Sequence, residues 1–168
     1  MIKLRPLEKK DAKFMIEWMH DEKTQKCFKK NMMSTSFEEA EKFCEGAKIS
    51  DKPDDGDSLH WAIVDDNDEY LGTISLKDID LDSKSAEYAI AIRPSVRGKG
   101  LGYEASKQIL DYAFNRYGLE LVYLNVWIEN NSAIRLYEKC GFVCVGEAPE
   151  YTDLTGELQL QHRYELRL

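Results

Sequence analysis

The feature that most constrains the fold is the stretch IRPSVRGKGLGYEA at residues 92–105. It follows an apolar-alternating run, SAEYAIAIR, that reads as a strand. After it, apolar residues at 101, 105, 109, 110, 113 and 114 recur at helical spacing and predict a helix over 101–116. A strand that breaks at glycines and resumes as a helix is the mark of an α/β protein. Gly98, Gly100 and Gly102 leave room for successive backbone N–H groups to converge on an anion. The helix that starts near Leu101 adds its positive dipole end and unpaired N–H groups, and Arg97 and Lys99 add full charges. The chemistry this combination suits is a pyrophosphate cradle; the bland alternative is a turn with solvated charges.

Two familiar phosphate loops fail on spacing. No Gly-Lys pair is followed by Ser or Thr, as the nucleoside-triphosphatase loop requires, and the third glycine of G-x-G-x-x-G would fall on Tyr103. The charge balance is also informative: 23 Lys and Arg against 31 Asp and Glu give a net charge of −8. That argues against a nucleic-acid or anionic-membrane binder, which needs a broad basic face. A basic island at Arg93, Arg97, Lys99 and Lys107 on an acidic chain suits a small polyanion. Cys27, Cys44, Cys140 and Cys144 form no C-x-x-C pair and read as reduced thiols. With no secretory h-region and no long apolar run, the expected location is the cytoplasm.

The 168 residues suit one domain, 1–168, without a linker or repeat. MIKLRPL reads as a first strand, residues 9–20 as an amphipathic helix, and Ser36 with Glu39 as a capping box opening a helix to about 47. LHWAIVD, EYLGTISLK and SAEYAIAIR are strands, then come the helix over 101–116, the strand LELVYLNVW and a short helix over 130–139. GFVCVGE and ELQLQHRYELRL close the chain as strands, giving the order β-α-α-β-β-β-α-β-α-β-β. Asp78, Asp80 and Asp82 have the spacing of a calcium loop, but Ser83 and Ala89 stand where glycine and glutamate are needed. That segment is expected to be a solvated turn, and no metal site is expected.

Arg97-Gly98-Lys99-Gly100-Leu101-Gly102 resembles the [Q/R]-x-x-G-x-[G/A] acyl-CoA signature of the GNAT superfamily of N-acetyltransferases. ENNSAIRLYEKCGF, residues 129–142, is similar to a second family segment, N-x-x-A-x-x-L-Y-x-x-x-G-F. The branch resembled is that of ribosomal-protein N-terminal and spermidine acetyltransferases. The resemblance implies a single-domain α/β fold whose mixed, mostly antiparallel sheet is splayed between strands 4 and 5 and flanked by helices. It implies acetyl-CoA as co-substrate, its pyrophosphate on backbone N–H groups from Arg97 through Gly98, Lys99, Gly100, Leu101 and Gly102 to Tyr103. Ala91, Ile92 and Arg93 would line the pantetheine arm, with an N–H around Ile92 as oxyanion donor. Asn130 would bond the arm or cap its helix.

By the same resemblance, Tyr137 would protonate the leaving thiolate, against the alternative of a packed core phenol. Some relatives place a basic glutamate where Asn125 stands here, so Glu87 is the candidate base, against an exposed strand-end carboxylate or a water relay. The acceptor expected is a primary amine on a small molecule or peptide: a protein N-terminus, a polyamine or an amino sugar. Net charge favours a cation, whereas Lys29 and Lys30 in CFKKNMM favour an anionic sugar. The rival function is a non-catalytic acyl-CoA sensor of the same fold. A monomer or homodimer, without nucleic acid or membrane, completes the expectation.

Overall fold

The computed structural model describes residues 1–28 and 30–168; Lys29 lies outside the described residues. A seven-stranded sheet runs in the order β1-β2-β3-β4-β5-β7-β6. The strands are β1 (Lys3–Pro6), β2 (Leu59–Val64), β3 (Tyr70–Asp80), β4 (Ser85–Ile92), β5 (Leu121–Trp127), β6 (Val143–Thr152) and β7 (Leu158–Arg167). The helices are α1 (Ala12–Met19), α2 (Glu22–Gln25), α3 (Phe37–Gly46), α4 (Leu101–Asp111) and α5 (Asn131–Lys139). All neighbours pair antiparallel except β4 and β5, which are parallel.

Strand alternation sorts the side chains onto two faces. Ala86 and Tyr88 of β4, Val122 and Leu124 of β5 and Ile74 of β3 pack with Ile109 of α4 and Tyr137 of α5 in one core. Ala62, Val64 and Tyr70 meet Met15, Trp18 and Cys44 in a second core beneath α1 and α3. The starts of α3 and α2 carry side-chain caps. Ser36 accepts from the Glu39 N–H at 3.1 Å, and Asp21 accepts from the Thr24 N–H at 2.9 Å.

Several boundaries differ from the sequence reading. Residues 112–116 continue the predicted long helix as a wider π turn, closed by the Tyr117 N–H on the Tyr112 carbonyl at 2.9 Å. β3 runs on to Asp80, absorbing part of the expected acidic turn, and β6 runs on to Thr152 through bulges that its pairing with β7 tolerates. The one-turn helix α2 has no counterpart in the sequence reading, because four residues carry no helical periodicity.

Candidate active site

The site is a gap in the sheet. β4 and β5 pair only through Ser85–Leu121, Ala86–Val122 and Glu87–Tyr123, and beyond that point the strands separate. On its other side β4 stays paired with β3 as far as Ile92–Gly72. The Arg93 N–H donates to the Leu71 carbonyl at 2.9 Å, which fixes the alternation of the ladder. Backbone groups of Ala91 therefore point to β3, and those of Ile90 and Ile92 point into the gap. Ile92 is thus the one of the three expected lining residues that offers an N–H to a ligand between the strands. Ile90, absent from the sequence reading, offers both its N–H and its carbonyl; pairing register carries that signal and local pattern does not.

At the mouth of the gap lies the glycine-rich turn. Gly98 and Gly100 have φ of 80° and 79°, conformations that disfavour any residue with a Cβ. Gly100 is the residue before the first turn of α4, and the first intrahelical bond is the Glu104 N–H on its carbonyl at 3.2 Å. The N–H groups of Gly98, Lys99, Gly100, Leu101, Gly102 and Tyr103 have no acceptor among the described residues. Such a run at a helix start is an anion cradle.

Gly102 is a glycine for another reason. A Cβ there would lie 2.9 Å from Leu136 Cδ2 and 3.4 Å from Ile92 Cδ1, so its absence lets α4 seat against α5 and β4.

The two arginines are committed elsewhere. Arg97 donates from its own N–H to Pro94 O, from Nε to the Ile92 carbonyl at 3.2 Å and from Nη2 to Thr24 Oγ1 at 2.8 Å. It works as a strut between α2 and the end of β4, not as an open anion ligand. Arg93 is locked between Glu17 and Glu69, with its guanidinium over the Phe14 ring at 4.6 Å. Its backbone N–H and carbonyl are both engaged, so it fixes the turn without lining the gap.

Tyr137 and Asn130 come from α5. Asn130 Oδ1 accepts from the Ala133 N–H at 3.4 Å, the cap its position predicts, and its Nδ2 donates to Cys27 Sγ at 3.3 Å. Tyr137 packs edge-on against Tyr88 with centroids 5.6 Å apart and is only 9% exposed. Its hydroxyl has no hydrogen-bond partner among the described residues. Burial, and then the neighbouring Cys27 and Cys140, hold its pKa well above the ordinary phenol range, so it stays protonated.

Glu87 stands at the last position of β4 paired with β5, opposite Tyr123 and 3.8 Å from Lys77. It lies five residues, about 16 Å of strand, before Ile92. Asn125 is exposed on β5 across from Arg163, and among the described residues no cluster of His, Cys, Asp or Glu has the makings of a metal site.

Comparison with known proteins decides the family. The family model described as an acetyltransferase (GNAT) domain matches residues 2–143. The chain belongs to the GNAT acetyltransferase family. It is accordingly an acetyl-CoA-dependent N-acetyltransferase. Spermidine N(1)-acetyltransferase of Vibrio cholerae is 33% identical over 158 residues, covering 93% of this chain and 87% of that protein. The Escherichia coli K12 enzyme of the same name is 32% identical over 171 residues, covering 97% and 88%. Among solved structures, the V. cholerae spermidine N-acetyltransferase in complex with CoA and spermine superimposes with a TM-score of 0.82 at 27% identity, covering 99% of this chain and 95% of that one. A shorter match, 35% identical over 69 residues, is to the N-alpha-acetyltransferase RimI of Mycobacterium tuberculosis.

Proposed function

We propose that this GNAT enzyme acetylates a polyamine, by direct attack of a neutral amine on acetyl-CoA in a ternary complex. The observation that carries the transfer reading is the unpaired run of N–H groups from Gly98 to Tyr103 at the mouth of the open β4–β5 gap. In this reading the coenzyme's pyrophosphate rests on those N–H groups and its arm follows the Ile90 and Ile92 backbone. The Ile92 N–H polarises the thioester carbonyl. Tyr137, protonated and with no partner for its hydroxyl among the described residues, gives its proton to the departing thiolate. An alkylamine with a pKa of about 10.4 arrives protonated at neutral pH. Glu87 is too far for direct contact and takes the proton through water along the sheet face it shares with Ala89 and Ala91.

Full-length similarity to two spermidine acetyltransferases supports the polyamine acceptor. So does an acidic surface: beside the start of α5, Glu147 and Glu150 line a cleft with Ile128 and His162, offering two carboxylates to a chain of ammonium groups. Of the basic pair that favours an anionic sugar, Lys30 is exposed. The test is thiol release from acetyl-CoA with spermidine, spermine, a basic N-terminal peptide and a nucleotide-linked amino sugar. Polyamines are expected to give the highest kcat/KM. A peptide or sugar that exceeds them overturns the acceptor, and CoA binding without release on any amine replaces the enzyme with a sensor.

A further inference from the structure

Residues 21–28 cross the mouth of the gap from one lip to the other. On the β4 side, Arg97 ties Thr24 to the end of the strand through Nη2 and Nε. On the far side, Tyr151 donates to the Lys26 carbonyl, and Asn130 Nδ2 donates to Cys27 Sγ at 3.3 Å. The Cys27 thiol is thereby held at the head of α5, within electrostatic reach of the Tyr137 hydroxyl, a buried group without a hydrogen-bond partner among the described residues. The proposed reaction places the coenzyme sulfur at that hydroxyl.

We propose that Cys27 is a thiol–disulfide exchange site for coenzyme A, at which the coenzyme's own disulfide links to the enzyme and stops turnover. The proposal rests on the coenzyme reading of the gap. Cys27 gives its proton to solvent, and its sulfur attacks one sulfur of CoA disulfide. The new S–S bond forms as the old one breaks, and the displaced CoA leaves as a thiolate that is reprotonated. One disulfide is consumed and one is made, so no other oxidant is needed. The retained coenzyme fills the slot that acetyl-CoA requires.

Position singles out Cys27 among the four free thiols. Cys44 is buried against Met15, Cys144 is exposed on edge strand β6, and Cys140 ends α5. Burial raises the Cys27 thiol pKa, with Arg97 opposing, so untethered disulfides meet a mostly protonated group. A disulfide anchored by its pyrophosphate on the α4 cradle presents its sulfur at high effective concentration.

The experiment treats the reduced full-length protein with CoA disulfide or glutathione disulfide, each with and without saturating acetyl-CoA. Intact mass, peptide mapping and thiol-release activity are followed in time, with thermal shift by CoA measured on untreated protein. The expected result is one CoA per chain on the Cys27 peptide, at least tenfold faster than glutathione and at least tenfold slower under acetyl-CoA. Activity should fall in step and return with dithiothreitol, and Cys27→Ser should show no time-dependent loss. Labelling confined to Cys144 or Cys140, equal rates for both disulfides, a labelled but active enzyme, or inactivation of Cys27→Ser at the wild-type rate each overturns the proposal. Stabilisation by CoA and turnover with Cys27 unmodified overturns it alone. Failure of CoA to stabilise the protein or of acetyl-CoA to support turnover overturns the coenzyme reading and the proposal together.

Discussion

A single hydroxyl sets the chemistry expected of Tyr137. Its ring is fixed by Tyr88 and Phe142, so removing only the oxygen leaves the packing unchanged. Tyr137→Phe is therefore expected to lower kcat by about 10²-fold or more while the KM for acetyl-CoA stays within about threefold, read by thiol release. Loss of affinity with an intact kcat would make the phenol a binding group. Glu87 calls for a different readout, because its ion pair with Lys77 also serves the sheet. Glu87→Gln should lower kcat by about tenfold, with the melting temperature nearly unchanged. An unaltered kcat removes Glu87 from the proton path. The motif residues were legible in the sequence because each has a local reason to be where it is. What Arg93 and Arg97 do was not, because their partners Glu17, Glu69 and Thr24 are brought to them only by the fold.

Among the elements, α4, α5 and β4 meet in one buried joint. Tyr88 of β4 is within 2.6 Å of Ser106 Oγ, which itself donates to the Gly102 carbonyl at 2.6 Å. This buried chain holds the first turn of α4 against the strand that lines the gap. Gly102 completes the seating, so Gly102→Ala forces Leu136 aside by several tenths of an ångström. Leu136 Cδ2 is the far end of a flexible side chain, so the cost falls at the low end of overpacking, about 1 kcal/mol. The expected outcome is a lower denaturant midpoint together with a raised KM for acetyl-CoA, and Leu136→Val in the same chain should restore part of both. Restoration of stability without KM would separate the helix joint from the cradle. From the sequence, Gly102 reads as a phosphate-loop glycine; its close approach to Leu136 on α5 and Ile92 on β4 is a second demand that only the fold brings to it. The extent of the gap was equally out of reach, since apolar alternation fixes which face a residue takes but not where two parallel strands part.

For the molecule as a whole, the described ion pairs concentrate where the chain's opening segment meets the β2–β3 turn. Arg5 forks onto both Asp11 oxygens at 2.8 Å and reaches Asp68 Oδ1 at 2.6 Å, and Lys10 also pairs with Asp68. Asp11 is buried, and it accepts from the Glu8 N–H in the turn that leads into α1. This network pins β1 and α1 to the turn joining β2 and β3, and α1 carries Glu17, which grips Arg93. Loosening it should therefore be felt at the gap as well as in the fold. Lys10 and then Arg5 lower the Asp68 carboxyl to about 2, below its ordinary value of 3.8. A carboxylate whose pKa is depressed on folding adds stability above its unfolded pKa, and loses it as pH falls from there through the folded value. The window is thus about pH 4 down to 2, and no contribution from this group is expected to change between pH 5 and 8. Thermal melts followed by circular dichroism should show Asp68→Asn less stable than wild type at pH 6, with the difference shrinking as pH approaches 2. Asp68 is on the surface, so the same difference should also shrink in high salt. A gap between the two proteins that persists at pH 2 would mean that Asp68 does not act through its charge.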